Sequence, residues 1–148
     1  MPTTITAAHH RNVPYPAAGG DHLETAVRRF MTPGVVTIAE DASLAQVYRA
    51  MVAHSVHAIL VVGRTEGKPI GWVTARGLLG WVGRDRSLAS AGDAITERPF
   101  KIDPNASVRE AVTALSQPGT SHLLVCRHED ATPEGVVSEL DLVALEGA

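Results

Sequence analysis

The feature that most constrains this chain is that it repeats itself. Displaced by 64 positions, the sequence aligns with itself without a gap from about residue 27 to 82. Thr32 meets Thr96, Ile38 meets Ile102, Ala42-Ser43 meet Ala106-Ser107, and Leu60-Val61 meet Leu124-Val125. Pro69 meets Pro133, Gly71 meets Gly135, Val73 meets Val137 and Leu78 meets Leu142. Turn, core and cap positions share one register, so the chain is two copies of one supersecondary unit. A copy of about fifty residues has too little interior to stand comfortably alone, and the two copies are expected to pack against each other.

Each copy predicts the same elements. A short extended stretch (Val35 to Ile38; Phe100 to Ile102) leads into Asp41-Ala-Ser43 or Asn105-Ala-Ser107, whose side-chain oxygens can cap a helix. A helix follows, with apolar residues at 44, 47, 48 and 51 and at 108, 111, 112 and 115, one buried stripe. Gln117-Pro118-Gly119 stops the second of these helices. Next come an apolar strand (Ala58 to Val62; Leu123 to Cys126), a polar loop, a second strand (Ile70 to Val73; Gly135 to Val137) and a last helix from Thr74 or Ser138. Continuously apolar strands are buried on both faces, which predicts an α/β (α+β) fold with helices covering sheet.

Composition removes several functions. A net charge of −3, with no Lys/Arg stripe on any predicted element, argues against nucleic acid as a partner. The single cysteine, Cys126, cannot form an internal disulfide and is expected to serve as a small buried hydrophobe in a reducing compartment. The N-terminus lacks an apolar signal core, and no apolar run approaches the roughly 20 residues of a membrane span. The expected location is cytoplasmic, with no membrane partner. Hydrolase elbows, phosphate-binding Gly-rich loops and paired zinc motifs are missing from the sequence, so no catalysis is expected.

Three stretches carry a resemblance: FMTPGVVTI from Phe30, SVHAILVV from Ser55, and a Gly-apolar-apolar-Ser/Thr-x-x-Asp-apolar pattern. The last reads GVVSELDL at Gly135 to Leu142 and GWVTARGL at Gly71 to Leu78. With the repeat and the element order, they resemble the cystathionine-β-synthase (CBS) domain family in its stand-alone, two-copy Bateman arrangement. The resemblance implies two βαββα repeats packed sheet to sheet with pseudo-twofold symmetry. The corresponding division is a flexible N-terminal tail at 1–22, a first repeat at 23–82, a linker at 83–90 and a second repeat at 91–148. It further implies clefts between the repeats that take AMP, ADP, ATP or S-adenosylmethionine, no required cofactor, a homodimer through the helices, and a separate effector protein.

The Asp141 cleft carries the residue types for this task. A carboxylate accepts hydrogen bonds from both hydroxyls of a ribose, and a hydroxyl three residues earlier shares the helix start, where N–H groups favour negative charge. Ser138 and Asp141 would hold ribose and phosphate. By the resemblance, Met31 to Val36, including Thr32, Gly34 and Val36, would line the adenine from the first copy. Val56, His57 and Ala58 would follow, Val136 and Val137 would contact the base, and His57 and His122 would stand near phosphate. No arginine occupies either histidine position, which favours AMP, ADP or S-adenosylmethionine over ATP.

Each of these residues also has a plainer reading. Ser-x-x-Asp is an ordinary helix start, with Ser138 as the cap and Asp141 complementing the helix dipole. His57 and His122 fit hydrogen-bonded rim residues. Zinc at His54, His57 and His122 lacks a fourth ligand, and His9, His10 and His22 lie in the tail. Trp72 fits core or interface packing, and Trp81 with Leu78, Leu79 and Val82 fits a dimer face. In the first copy Gly77 stands where an Asp would be, so that cleft is expected not to hold a diol. The alternative function is a ligand-free dimeric scaffold or stress-related interaction protein.

Overall fold

A computed structural model describes residues 22–128 and 132–147. The tail expected at 1–22 lies outside them except for His22. Contacts divide the described chain into two units: Val36–Pro99, and residues 22–35 with 100–128 and 132–147.

In the first unit, β2 (Thr37–Ala39), β3 (Ala58–Val62) and β4 (Pro69–Thr74) form a sheet in that order. Its strands follow β1 (Thr32–Pro33), which belongs to the second unit. β3 runs parallel to β2 and antiparallel to β4. Helix α1 (Leu44–His54) separates β2 from β3. Its capping box is reciprocal: the Gln46 N–H donates to Ser43 Oγ at 3.2 Å, and the Ser43 N–H donates to Gln46 Oε1 at 2.8 Å. The helix stops where Ser55 adopts a left-handed φ of 52° and donates its N–H back to Met51 and Val52. Leu44, Val47 and Met51 turn inward and meet Ile38, Ile59, Val61 and Val73. Helix α2 (Ala75–Leu78) is short and passes into a 3-10 turn at Leu79–Trp81.

The second unit repeats the plan with one more strand. Its sheet has the order β1, β7 (Gly135–Ser138), β6 (His122–Val125) and β5 (Lys101–Ile102). β5 is parallel to β6, and β6 and β7 are antiparallel. Helix α3 (Val108–Leu115) is capped by Ser107 with Glu110, and α4 (Glu139–Glu146) follows β7 directly. Val27, Ala111, Leu123, Val125 and Val137 form one core cluster, and Phe30, Val108 and Leu145 another.

The repeat in sequence and the unit in space have different boundaries. The segment before the first repeat's β2 docks on the second unit: the Val27 N–H donates to the Ala106 carbonyl at 2.8 Å, and the Val108 N–H donates to Thr25 at 2.9 Å. Thr32 and Pro33 then pair antiparallel with Val136 and Gly135. Pro33, without an N–H, stands on this edge strand. The segment before the second repeat's β5 docks on the first unit in the same manner. The Ala91 N–H donates to the Ala42 carbonyl at 2.8 Å, and Glu97 bridges Trp72. Each lead-in thus serves the other repeat.

The exchange explains the two matching glycines. A Cβ on Gly71 would stand 3.0 Å from the Glu97 carbonyl oxygen and collide with the Ile95 side chain. A Cβ on Gly135 would collide with the Thr32 carbonyl and sit 2.8 Å from Met31 Sδ. Both glycines are required because a lead-in backbone crosses directly over them.

Candidate ligand site

At the end of β7 the chain turns straight into α4. Ser138 is extended (φ −109°, ψ 167°), and its Oγ accepts the Asp141 N–H at 3.3 Å. Asp141 Oδ2 in return accepts the Ser138 N–H at 2.8 Å and the Ser138 hydroxyl at 3.2 Å. Asp141 is only 7% exposed. A buried carboxylate needs such compensation, and the backbone donor, the hydroxyl and the positive end of α4 supply it.

Five other expected residues stand in the same unit. Thr32 lies beside Val136 across the β1–β7 pair, and Gly34, with φ 74°, donates its N–H to the Glu134 carbonyl at 2.9 Å. Val137 is fully buried with its side chain in the core, while Val136 alternates to the opposite face and is half-buried. His122 is the register partner of Ser138, and its Nδ1 lies 2.8 Å from Ser121 Oγ.

The remaining four belong to the first unit. Val36 is buried and its carbonyl accepts the Leu60 N–H at 3.0 Å. Val56 is half-buried, His57 is exposed and its carbonyl accepts the Ala75 N–H at 2.8 Å, and Ala58 is the register partner of Thr74. His57 and Ala58 stand at the first unit's own strand-to-helix turn. There the Gly77 N–H donates to Thr74 Oγ1 at 3.0 Å, and no carboxylate returns the bond.

Thr96 escaped the reading of the sequence as a site residue. A Cβ on Gly77 would meet its Cγ2 at 2.9 Å and its Oγ1 at 3.0 Å, and the Thr74 and Thr96 hydroxyl oxygens are 3.5 Å apart. Its signal was present in the repeat, because Thr96 aligns with Thr32.

Trp72 and Cys126 are buried, at 1% and 5% exposed. Among the described residues no group of three His, Cys, Asp or Glu side chains is arranged to hold a metal, and no helix is long and apolar enough to cross a membrane. His9 and His10 lie outside those residues.

Two successive α/β units, each ending a strand in a hydroxyl-capped helix start, define a tandem-repeat α/β module. The chain belongs to the CBS domain family: that domain matches residues 27–84 and again 91–146. No match was found among curated proteins. Among solved structures, the CBS domain of a bacterial CNNM/CorC family Mg2+ transporter in complex with ATP is similar, at 22% identity and a TM-score of 0.69, covering 83% of this chain and 87% of that one. A CBS-domain containing protein from Agrobacterium tumefaciens has 21% identity and a TM-score of 0.71, over 86% and 97% of the two chains. A hexameric CBS-CP12 protein from bloom-forming cyanobacteria has 20% identity and a TM-score of 0.69, over 82% and 67%. At these identities the likeness establishes the fold.

Proposed function

We propose that this chain is a regulatory module that binds an adenosine compound at the Ser138–Asp141 turn and acts, as a homodimer, on a separate partner protein. The observation that carries the reading is the buried Asp141 carboxylate at a helix start, in the unit whose edge strand brings Thr32 beside Val136. A carboxylate is an acceptor for two neighbouring sugar hydroxyls, and charge-assisted bonds of this kind are worth about 1.5–3 kcal/mol each. The ATP complex of a transporter CBS domain with the same fold supports the ligand class. AMP, ADP and S-adenosylmethionine are favoured over ATP because the basic neighbour of this turn is His122, the register partner of Ser138, and not an arginine, the residue suited to a triphosphate.

A second reading, a ligand-free dimeric scaffold, is favoured by the capping box itself, which accounts for Asp141 without a ligand. Calorimetric titration with AMP, ADP, ATP, S-adenosylmethionine and 2′-deoxyadenosine monophosphate separates the two. The sensing reading expects saturable binding, weakened by loss of the 2′-hydroxyl and by Asp141→Ala. Silence across the whole panel would establish the scaffold instead.

A further inference from the structure

After the turn at Leu79–Trp81 the first unit sends out a stretch that its core does not use. Residues 82–88, VGRDRSL, are exposed throughout, and Leu88 reaches 99%. Gly83 turns the chain with a φ of 78°. The hydrogen bonds that shape the stretch are local. The Arg84 N–H donates to the Trp81 carbonyl at 3.2 Å and the Ala89 N–H to that of Arg86 at 3.1 Å. The Ser87 N–H and hydroxyl donate to Asp85 Oδ1 at 3.0 and 2.9 Å, which holds the Asp85 carboxyl below its usual range. A main chain held only by its near neighbours opens at low cost.

The side chains of this stretch form a pattern. Arg84 and Arg86 stand three and one residues before Ser87, and Leu88 follows it. An acid-lined kinase cleft reads such an order: its carboxylates take the guanidiniums, the hydroxyl faces the nucleotide, and an apolar pocket takes the next residue. The Arg84 guanidinium lies 5.1 Å over the Trp81 ring and that of Arg86 4.8 Å over Tyr48. Cation–ring contacts at exposed sites are weak, so both arginines can be released. One other hydroxyl residue of the chain, Thr32, has an arginine three residues earlier. It is half-buried, paired with Val136 in the sheet and followed by Pro33. The next serine, Ser90, is half-buried, and its N–H and hydroxyl both donate to Asp93, at 2.9 and 3.2 Å. Exposure and charge coincide at Ser87.

We propose that Ser87 is a phosphorylation site, the acceptor for an arginine-directed serine/threonine protein kinase. The kinase's catalytic aspartate takes the Ser87 hydroxyl proton as Oγ attacks the γ-phosphorus of Mg2+–ATP. The bond from that phosphorus to the β,γ-bridging oxygen breaks, and ADP leaves. The product carries about 1.5–2 negative charges and three acceptor oxygens where a hydroxyl donor stood. It repels Asp85 and offers Arg84 and Arg86 a stronger partner than an aromatic ring. The arginines are thereby drawn from Trp81 and Tyr48, which gives the first unit a covalent input that requires no nucleotide at the Ser138 turn.

The full chain, incubated with the catalytic subunit of cyclic-AMP-dependent protein kinase and radiolabelled Mg2+–ATP, tests the site. The native chain should take up about one phosphate, mapped by tandem mass spectrometry to Ser87. Ser87→Ala should take up none, and Ser90→Ala as much as the native chain. Arg84→Gln should be phosphorylated about tenfold or more slowly, through loss of a charge-assisted contact to the kinase. Thermal melts verify that the variants fold. Tryptophan emission should change on phosphorylation as Arg84 leaves Trp81, because Trp72 is only 1% exposed. A native chain that takes up no phosphate, a phosphate mapped to another residue, or an Arg84→Gln protein modified at the native rate overturns the site. Unchanged emission overturns the movement of the arginine.

Discussion

The turn from β4 into α2 and the turn from β7 into α4 occupy the same place in the repeat, and they differ most tellingly where Gly77 matches Asp141. At Thr74 the hydroxyl accepts the Gly77 N–H and nothing answers; at Ser138 the carboxylate of Asp141 returns the bond. The first helix ends after Leu78, whereas the second continues to Glu146. In the first unit the space beside the turn is closed by Thr96, which approaches because Gly77 has no side chain. The same scaffold therefore presents a buried acid in one copy and, in the other, a buried Thr74 hydroxyl beside that of the exposed Thr96. A capping position can be turned toward a ligand by one carboxylate, and it can be closed by removing that carboxylate and letting a neighbour fill the gap.

The largest effect that would sharpen this contrast is on binding. Asp141→Ala should weaken nucleotide affinity by about ten- to hundredfold, the loss of one or more charge-assisted bonds. Thr74→Ala should leave it unchanged in the same titration. If both substitutions acted equally, the asymmetry between the turns would be lost.

Next in size are the crossing glycines, where the two units should behave alike. Gly71→Ala and Gly135→Ala should each destabilise the fold by about 1–3 kcal/mol in urea unfolding, since a lead-in backbone stands where the methyl would go. A neutral result at either would break the claim that the lead-ins are exchanged in solution.

Gly77→Asp sharpens the comparison from the other side. The new side chain meets Thr96 before any ligand, so binding stoichiometry should remain that of the native chain, with stability lowered by about 1 kcal/mol. A second molecule bound per chain would show that the missing carboxylate alone had closed the first turn.

The smallest effect concerns the caps. Ser138→Ala should cost about 1 kcal/mol, as loss of a hydroxyl cap usually does. Thr74→Ala should cost less, because α2 spans only Ala75–Leu78 and has little helix to lose. Paired melts of the two variants measure the difference.

Elements were legible wherever a local pattern dictates them. The apolar run of β3, the stripe of α1 and the caps at Ser43, Ser107 and Ser138 all stand where periodicity and side-chain chemistry place them. Strand β1 was not legible, because two residues including a proline carry no alternation. Nor was the company each expected site residue keeps. Thr32 and Gly34 belong to the first repeat in sequence and were expected beside Asp141 only through the resemblance; the β1–β7 pair is what puts them in the same unit as Asp141. Val137 looked like a base contact and Val136 its equal, but strand alternation puts the Val137 side chain in the core.

The sequence by itself determined that this protein is two copies of one βαββα unit, which elements each contains, and that only the second copy keeps an acid at its helix start. Caps, stripes and apolar runs act over a few residues, so they survive as readable patterns. The tertiary structure alone decided that the lead-ins change places and that Thr96 fills the space beside Gly77. Those outcomes depend on backbone N–H and carbonyl groups meeting across long separations in the chain, and such groups are the same in every residue but proline.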